Sequence, residues 1–205
     1  MENNRVAHWE NVFATKASNE VSWFQDKPET SIQLIQSCKV AKDAKIIDIG
    51  GGDSYLIDNL IALGYTNLYL LDISENAIER AKERLSSHLD KVTFIVSNSL
   101  DFQMKDTFEV WHDRASFHFL TDEHEVQKYK SNVLQSLKSN GNLVLGTFSE
   151  EGPEKCSGLE ITQYSVEKLE AIFGEDFELE NCFTEEHATP FDTTQDFIFC
   201  NYKKI

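Results

Sequence analysis

The sequence predicts an α/β fold, in which a doubly wound, mostly parallel sheet of seven strands carries helices on both faces and ends in an antiparallel β-hairpin. Two observations predict it. Between residues 46 and 172, short apolar runs alternate with stretches of helical periodicity, as in the βα units that build a parallel sheet. Two later strand-like runs, residues 177–183 and 197–202, are joined by a polar turn without a helix. Strands joined in that way pair antiparallel or lie apart.

The first three strands are predicted by short apolar runs at residues 46–49, 68–73 and 92–96. The first run is rich in isoleucine, which suits a strand buried on both faces. Segments with helical spacing lie between the runs. One has the stripe Leu56, Ile57, Leu60 and Ile61 with Gly64 as its stop, the next has Ala77, Ile78, Ala81 and Leu85 with Ser74 as its cap, and a helix before the first strand is indicated by Ile32, Leu34 and Ile35.

The second half of the chain continues the alternation, with strands predicted at residues 108–113 and 143–148. The helix between them is expected to begin at Thr121 or Asp122 and to end at Gly141, and its stripe is Val126, Tyr129, Val133 and Leu137. A polar segment from Ser149 to Gln163 follows, and Ser165 then starts a short helix with Val166, Leu169 and Ile172. The prediction is therefore five βα units followed by a hairpin.

Composition limits the class of protein. The 205 residues contain 40% hydrophobic residues and no low-complexity linker, which predicts a single domain over residues 1–205. A net charge of −16 argues against a nucleic-acid partner, because affinity for the phosphate backbone comes from Lys and Arg. The chain has no membrane-spanning run, and its first ten residues have no apolar core, so we expect no membrane partner, no secretory signal and a cytoplasmic location.

The cysteines are widely spaced and form no CxxC pair; they are Cys38, Cys156, Cys182 and Cys200. In the absence of a secretory signal, this spacing favours free thiols over disulfides or a zinc site.

A glycine-rich motif, Asp48-Ile49-Gly50-Gly51-Gly52, follows the first predicted strand, and Asp72 lies near the end of the second. Ligands of parallel α/β sheets bind beyond the carboxyl ends of the strands, and an acid about twenty residues after the glycines suits a pair of ribose hydroxyls. Glycines let the backbone approach a ligand at a helix N-terminus. The third glycine of a dinucleotide-binding motif would fall at Tyr55, which argues against a nicotinamide oxidoreductase.

The glycine motif, the run Leu70-Leu71-Asp72-Ile73-Ser74 and the terminal hairpin resemble the class I S-adenosylmethionine-dependent methyltransferases, which have a Rossmann-like fold. The resemblance covers roughly residues 40–205. The segment from His8-Trp9-Glu10 to Ser22-Trp23-Phe24 resembles the opening of a subgroup that includes protein-lysine methyltransferases. The runs from His112 to Leu120 and from Gly152 to Leu159 resemble the bacterial branch of that subgroup. The N-terminal likeness implies that residues 1–44 form a segment covering the cofactor, ahead of a core at residues 45–205.

The resemblance also implies roles for single residues toward S-adenosyl-L-methionine. Gly50 and Gly52 would approach its amino-acid end, Asp48 would hold its ammonium group, and Asp72 would accept hydrogen bonds from the ribose. The remaining cofactor-binding candidates are Ile73 against the adenine, Asn98 and Ser99 near the adenine amino group, Asp113 near the ammonium group, and Trp9 and Trp23 in the cover.

Two interpretations stay open for His118, which follows the fourth predicted strand. As a catalytic residue it would act as a general base or would orient the acceptor, since imidazole titrates near neutrality. As a structural residue it would be packed and hydrogen-bonded. The segment from Ser149 to Gln163 is either a surface connection or a lid on the acceptor side. His118, Cys156 and His187 lack the short spacing of a metal site, so no metal is expected.

The predicted function is transfer of a methyl group from S-adenosyl-L-methionine to a nucleophilic N, O or S atom of a small-molecule acceptor. Holding the nucleophile, methyl carbon and sulfur in line supplies most of the catalytic effect. Two alternatives remain: a protein-lysine methyltransferase, which the N-terminal resemblance favours, and a non-catalytic cofactor-binding scaffold protein, which would form no S-adenosylhomocysteine.

Overall fold

The computed structural model describes residues 2–105 and 107–205, with the side chains of Glu2 and Asn3 excepted. The α-helices are α1 (Glu2–Thr15), α2 (Glu29–Ser37), α3 (Leu56–Ala62), α4 (Glu75–Arg84), α5 (Glu123–Ser136) and α6 (Val166–Phe173). The strands are β1 (Ile46–Ile49), β2 (Leu68–Asp72), β3 (Val92–Val96), β4 (Phe108–Arg114), β5 (Leu137–Phe148), β6 (Lys155–Cys156), β7 (Leu159–Glu160), β8 (Phe177–Ala188) and β9 (Thr194–Lys204).

Seven strands form one sheet in the order β3-β2-β1-β4-β5-β9-β8. The first five in that order are parallel, and β9 pairs antiparallel with both β5 and β8. Apolar side chains of α2, α3 and α4 pack on one face of the sheet, and those of α5 and α6 pack on the other. The predicted fold class is therefore confirmed, and the strand order reverses between β1 and β4, where ligands of such sheets bind.

Local sequence explains several boundaries. All four residues of β1 are buried, as expected of a central parallel strand. The predicted caps Ser74 and Ser165 accept hydrogen bonds from the backbone N–H groups of Ala77 and Lys168. Asp122 accepts from the backbone of the first turn of α5. These three side chains satisfy N–H groups that have no partner within the helix.

The prediction that Gly141 ends the helix is wrong. The helix α5 ends at Ser136, and Leu137 already pairs with Phe108 as the first residue of β5. The Lys204 ammonium group donates to the carbonyl oxygens of Leu134 (2.6 Å) and Leu137 (2.8 Å). This contact from the last strand satisfies carbonyls at the end of α5, where the helix stops about one turn before Gly141.

The count of five βα units is also one too high. Between β3 and β4, the described residues 97–105 and 107 form turns and irregular structure without a helix. The polar segment from Ser149 to Gln163 contains the short antiparallel hairpin β6-β7. No helix in residues 2–105 and 107–205 is long and apolar enough to cross a membrane.

Two cysteines differ from expectation. Cys182 and Cys200 face each other across β8 and β9 and are joined by a disulfide bond, so the prediction of free thiols is wrong for this pair. Their positions, 18 residues apart, become neighbours only through the register of the hairpin. Cys38 and Cys156 are free.

Candidate active site

A cavity lies beyond the carboxyl ends of the parallel strands and beneath α1, with about 1240 Å³ of empty space that includes solvent at its open side. Most of the candidate cofactor residues line it: Trp9, Trp23, Asp48, Gly50, Gly52, Asp72, Ile73, Asn98 and Ser99. The cavity therefore brings together the N-terminal segment, the glycine loop after β1, the end of β2 and the loop after β3. Asp113 and His118 are not among its lining residues.

The glycine loop approaches its neighbours too closely for side chains. Gly50 has φ +61°, and an added Cβ would lie 2.6 Å from Cβ of Ser116. Gly52 has φ +53°, and its Cβ would lie 2.8 Å from Cζ of Phe13 on α1. Only glycine adopts this backbone conformation without strain. The loop thus leaves its backbone exposed to the cavity.

Asp72 is held rigidly at the end of β2. Its Oδ2 accepts from the Gly52 N–H (2.9 Å), and its Oδ1 accepts from the Ser74 N–H (2.8 Å). Burial raises the pKa of Asp72 to about 7, and the backbone hydrogen bonds oppose that rise. Each carboxylate oxygen retains acceptor capacity beyond one hydrogen bond, so the ionised side chain is able to accept further donors from the cavity.

Asp48 has one oxygen in use and one without a partner. His112 Nδ1 donates to Asp48 Oδ1 (2.7 Å), and His112 Nε2 shares a hydrogen bond with the Ser31 hydroxyl (2.9 Å). Asp48 Oδ2 is buried and has no hydrogen-bond partner among the described residues. The chain from Ser31 through His112 therefore fixes the Asp48 carboxylate while one oxygen stays available to a donor. Sequence reasoning had assigned no role to His112 or Ser31.

Asp113 occupies a different environment from the one expected. Its Oδ1 accepts from the backbone N–H groups of Ser116 and Phe117 (both 3.0 Å), and its Oδ2 accepts from the Tyr129 hydroxyl (2.7 Å). The side chain is fully buried, and this burial raises its pKa to about 6. Its carboxylate is thus committed to the turn after β4 and to α5, away from the cavity where a cofactor ammonium group would lie.

His118 is enclosed rather than directed into the cavity. Its ring stacks on Phe148 at 4.4 Å between centroids, and neither ring nitrogen has a partner among the described residues. Burial lowers the pKa of His118 to about 3, which makes the neutral imidazole a weak base near pH 7. The geometry thus fits the packed alternative, although the expected hydrogen bonds of a packed histidine are missing.

The N-terminal helix is tied across the site. Glu10 accepts from the backbone N–H groups of Glu75 (2.5 Å) and Asn76 (3.2 Å) at the start of α4. Arg5 forms an ion pair with Glu125 on α5 (2.9 Å). Between these anchors, Trp9 packs edge-on against Trp23 and Phe119. Contacts to both faces of the sheet thus hold an aromatic roof over the cavity.

The two candidates in the loop after β3, Asn98 and Ser99, make hydrogen bonds within the protein. Asn98 Oδ1 accepts from the Leu100 N–H (3.0 Å), and the backbone carbonyl of Ser99 accepts from Asn132 (3.0 Å). These contacts fix the loop after β3 beside Ile73. Both residues line the cavity, but the Asn98 side-chain oxygen already accepts a hydrogen bond within its own turn.

Arg114, the last residue of β4, also lines the cavity. Its Nη1 donates to the Trp23 carbonyl (3.0 Å), and its guanidinium lies 5.0 Å from the centre of the Phe197 ring. Cys156 also lines the cavity, and burial raises its pKa to about 12. No cluster of three or more His, Cys, Asp or Glu residues able to hold a metal ion is found in the described part of the chain.

Comparisons with known proteins agree with this geometry. Residues 41–197 match a family described as "Methyltransferase domain". An eEF1A lysine and N-terminal methyltransferase from Mus musculus is 31% identical over 121 residues, and one from Bos taurus is 29% identical over 122 residues. Each match covers 58% of this chain but only 17% of the relative's length.

Solved structures share the fold at low identity. The N-methyltransferase NodS from Bradyrhizobium japonicum, in complex with S-adenosylhomocysteine, has a TM-score of 0.75 at 18% identity and 98% coverage of both chains. A Burkholderia thailandensis 1,6-didemethyltoxoflavin-N1-methyltransferase has a TM-score of 0.74 at 13% identity, with 99% of this chain and 86% of that chain covered. The chain therefore belongs to the methyltransferase-domain family and has the class I Rossmann-like fold.

Proposed function

We propose that this protein transfers a methyl group from S-adenosyl-L-methionine to a nucleophilic N, O or S atom of a small-molecule acceptor. One observation carries the proposal. Two buried carboxylates, Asp48 and Asp72, lie at the ends of adjacent parallel strands in one cavity, and Asp48 Oδ2 has no partner in the part of the chain that the structure describes. Such a pair fits a ligand with a hydroxylated sugar at one end and an ammonium group at the other.

Each residue then has a defined task. Asp72 accepts hydrogen bonds from the ribose hydroxyls, and Asp48 Oδ2 accepts one from the ammonium group, in a charge-assisted contact. His112 is a positioning residue, because its bond to Oδ1 sets the direction of Oδ2. Gly50 and Gly52 would leave the backbone open to the amino-acid end of the cofactor, and Ile73 would pack against its adenine.

The N-terminal segment serves as the cover. Bound S-adenosyl-L-methionine supplies an electrophilic methyl group on a sulfonium sulfur, and S-adenosylhomocysteine remains after transfer. Trp9, Trp23 and Phe119 pack against one another above the cavity, and aromatic faces attract cations. Because α1 is anchored at Glu10 and Arg5, this aromatic roof would keep water from the reacting atoms.

The enclosed shape supports a small acceptor. The roof at Trp9 and Trp23 lies over the cavity, so the acceptor must fit beneath it or displace it. The structurally similar toxoflavin methyltransferase holds a small molecule, 1,6-didemethyltoxoflavin, together with S-adenosylhomocysteine. The sequence match to lysine methyltransferases favours a second candidate, a protein-lysine acceptor.

Incubation with methyl-labelled S-adenosyl-L-methionine and a cell extract tests the proposal. After separation by size, we expect label in small molecules and none above background with Gly52→Val, which blocks the loop against Phe13. Label confined to protein would replace the proposed acceptor by the lysine alternative. Cofactor binding without label in either fraction would support the non-catalytic scaffold instead.

A further inference from the structure

Arg114 lines the cavity on the side of β1 opposite to Asp72. It is the last residue of β4 and follows the pairing of Ile49 with Asp113. Its guanidinium extends over Phe197 of β9, which lies beyond β5 in the sheet order. Asp72 belongs to β2, on the opposite side of β1. A ligand that reaches from Asp72 across β1 therefore places its reacting end toward Arg114.

One edge of this guanidinium is without partners. Nη1 donates to the Trp23 carbonyl, whereas Nε and Nη2 are buried and make no hydrogen bond within the described residues. The N–H groups of Nε and Nη2 point in parallel and form the side-on fork that binds two oxygens of a carboxylate. Buried donors without partners are costly, which points to a ligand that satisfies them.

The carboxylates around Arg114 do not neutralise it by direct contact, whether they line the cavity, as Asp53 does, or lie outside its lining, as Glu185 does. Asp53 is bound by Arg80 (3.1 Å) and by the Ser18 hydroxyl (2.8 Å). Glu185 accepts from the Thr30 hydroxyl (2.5 Å). Burial lowers the pKa of Arg114 to about 10, so the side chain remains charged at neutral pH. A cation therefore remains at the acceptor end, and it disfavours a second cation such as a lysine side chain.

We propose that the methyl acceptor is a small carboxylic acid whose carboxylate binds side-on to Nε and Nη2 of Arg114. The inference rests on the proposed function and names its substrate class. Because Trp23 holds Nη1 from the roof and Phe197 supports the guanidinium from the sheet, the fork is fixed before the acceptor binds. The bound carboxylate then orients the nucleophilic atom of the acceptor, and Arg114 alone balances the negative charge of that carboxylate.

The experiment begins with wild-type protein and the labelled small-molecule fraction of the extract. Mass spectrometry of the labelled product is expected to find a carboxyl group. A labelled small molecule with a phosphate or without any acidic group would overturn the inference and leave the proposed function standing. Label in protein alone, or none, would overturn both, so the two failures are distinguishable.

The variants Arg114→Gln and Arg114→Lys are then compared with that acceptor and its carboxamide. We expect KM for the acid to rise at least about tenfold in Arg114→Gln, and less in Arg114→Lys, which keeps the charge but loses the fork. The carboxamide should be methylated equally by wild type and Arg114→Gln. Lys138→Gln controls for the loss of one positive charge, because Lys138 lies near the start of β5, where it pairs with Glu109.

Titration with S-adenosylhomocysteine separates the acceptor from the cofactor. Affinity within twofold of wild type in folded Arg114→Gln is the expected result. A loss of tenfold or more would assign the fork to the carboxylate of the cofactor and overturn the inference. Should Arg114→Gln fail to fold, Arg114→Lys provides the same comparison, and an unchanged KM for the acid in that variant would contradict a side-on fork.

Discussion

The two ends of the cavity are built in different ways. At the ribose end, Asp72 is held by the backbone N–H groups of Gly52, 20 residues before it, and of Ser74, two residues after it. At the acceptor end, Arg114 is held by Trp23 from the N-terminal segment and by Phe197 from the last strand. The first end thus depends on contacts no more than 20 residues apart in the sequence and suits a ligand common to a family, whereas the second depends on distant contacts that are free to change with the acceptor.

Gly50→Ala is expected to have the largest effect on the ribose and amino-acid end. The positive φ and the contact with Ser116 at 2.6 Å force the loop to move. We expect affinity for S-adenosylhomocysteine to fall at least about 100-fold, from strain of about 1–2 kcal/mol plus the steric clash. Gly64→Ala is the matched control, since Gly64 also has positive φ but nothing within 4 Å of the added Cβ. Equal affinities of the two variants for S-adenosylhomocysteine, measured by calorimetry, would contradict the placement of the glycine loop at the cofactor.

Asp72→Asn should weaken S-adenosylhomocysteine binding by about 1–3 kcal/mol, since it replaces charge-assisted acceptors. The effect has a pH signature. Burial raises the pKa of Asp72 to about 7, and the charges of Asp48 and Asp53 add to the rise. Because the ionised form accepts the ribose hydroxyls, wild-type affinity should increase as the pH rises through about 7. A variant with the same pH profile as wild type would show that another group titrates.

Asp48→Asn and Asp113→Asn compare neighbouring strand ends. Asp48 has one carboxylate oxygen without a hydrogen bond among the described residues, whereas both oxygens of Asp113 accept hydrogen bonds, from Ser116, Phe117 and Tyr129. We expect Asp48→Asn to lower cofactor affinity about tenfold, and Asp113→Asn to lower the free energy of unfolding by about 1–3 kcal/mol with affinity unchanged. Calorimetry and denaturant titration measure both. The reverse pattern would return Asp113 to the cofactor site.

His118→Leu is expected to have the smallest effect and no influence on cofactor affinity. Burial lowers the folded-state pKa of His118 from 6.5 to about 3. Below about pH 6.5, His118 is therefore protonated in the unfolded chain but neutral in the folded chain. The free energy of unfolding falls as the pH drops from about 6.5 toward 3. The variant should lose less stability than wild type between pH 7 and pH 5, by about 1–2 kcal/mol. Denaturant titration at the two pH values measures both losses, and an equal loss of stability in wild type and in His118→Leu would contradict this prediction.

The same division between local and distant contacts explains what the sequence could predict. The run at residues 46–49 and the caps Ser74, Asp122 and Ser165 act within a few residues, so their patterns were sufficient. The carbonyls at the end of α5 are satisfied by Lys204, 67 residues beyond Leu137, and periodicity carries no trace of that contact.

The site follows the same rule. The glycine loop and Asp72 were identified from motif spacing, and the structure places them in one cavity. The Ser31–His112–Asp48 chain spans separations of 81 and 64 residues, so no local signal could reveal it. His112, Arg114 and His118 stand in one short run, yet strand pairing and burial give them separate environments. The cross-strand pair Cys182 and Cys200 likewise required the register of the hairpin.

A crystal structure with S-adenosylhomocysteine tests the central claim most directly. The account predicts ribose hydroxyls within hydrogen-bonding distance of the Asp72 carboxylate, the amino group on Asp48 Oδ2, and the sulfur directed toward the space between Phe119 and Arg114. Density for the ligand outside this cavity, or inside it with the ribose turned away from Asp72, would contradict the account.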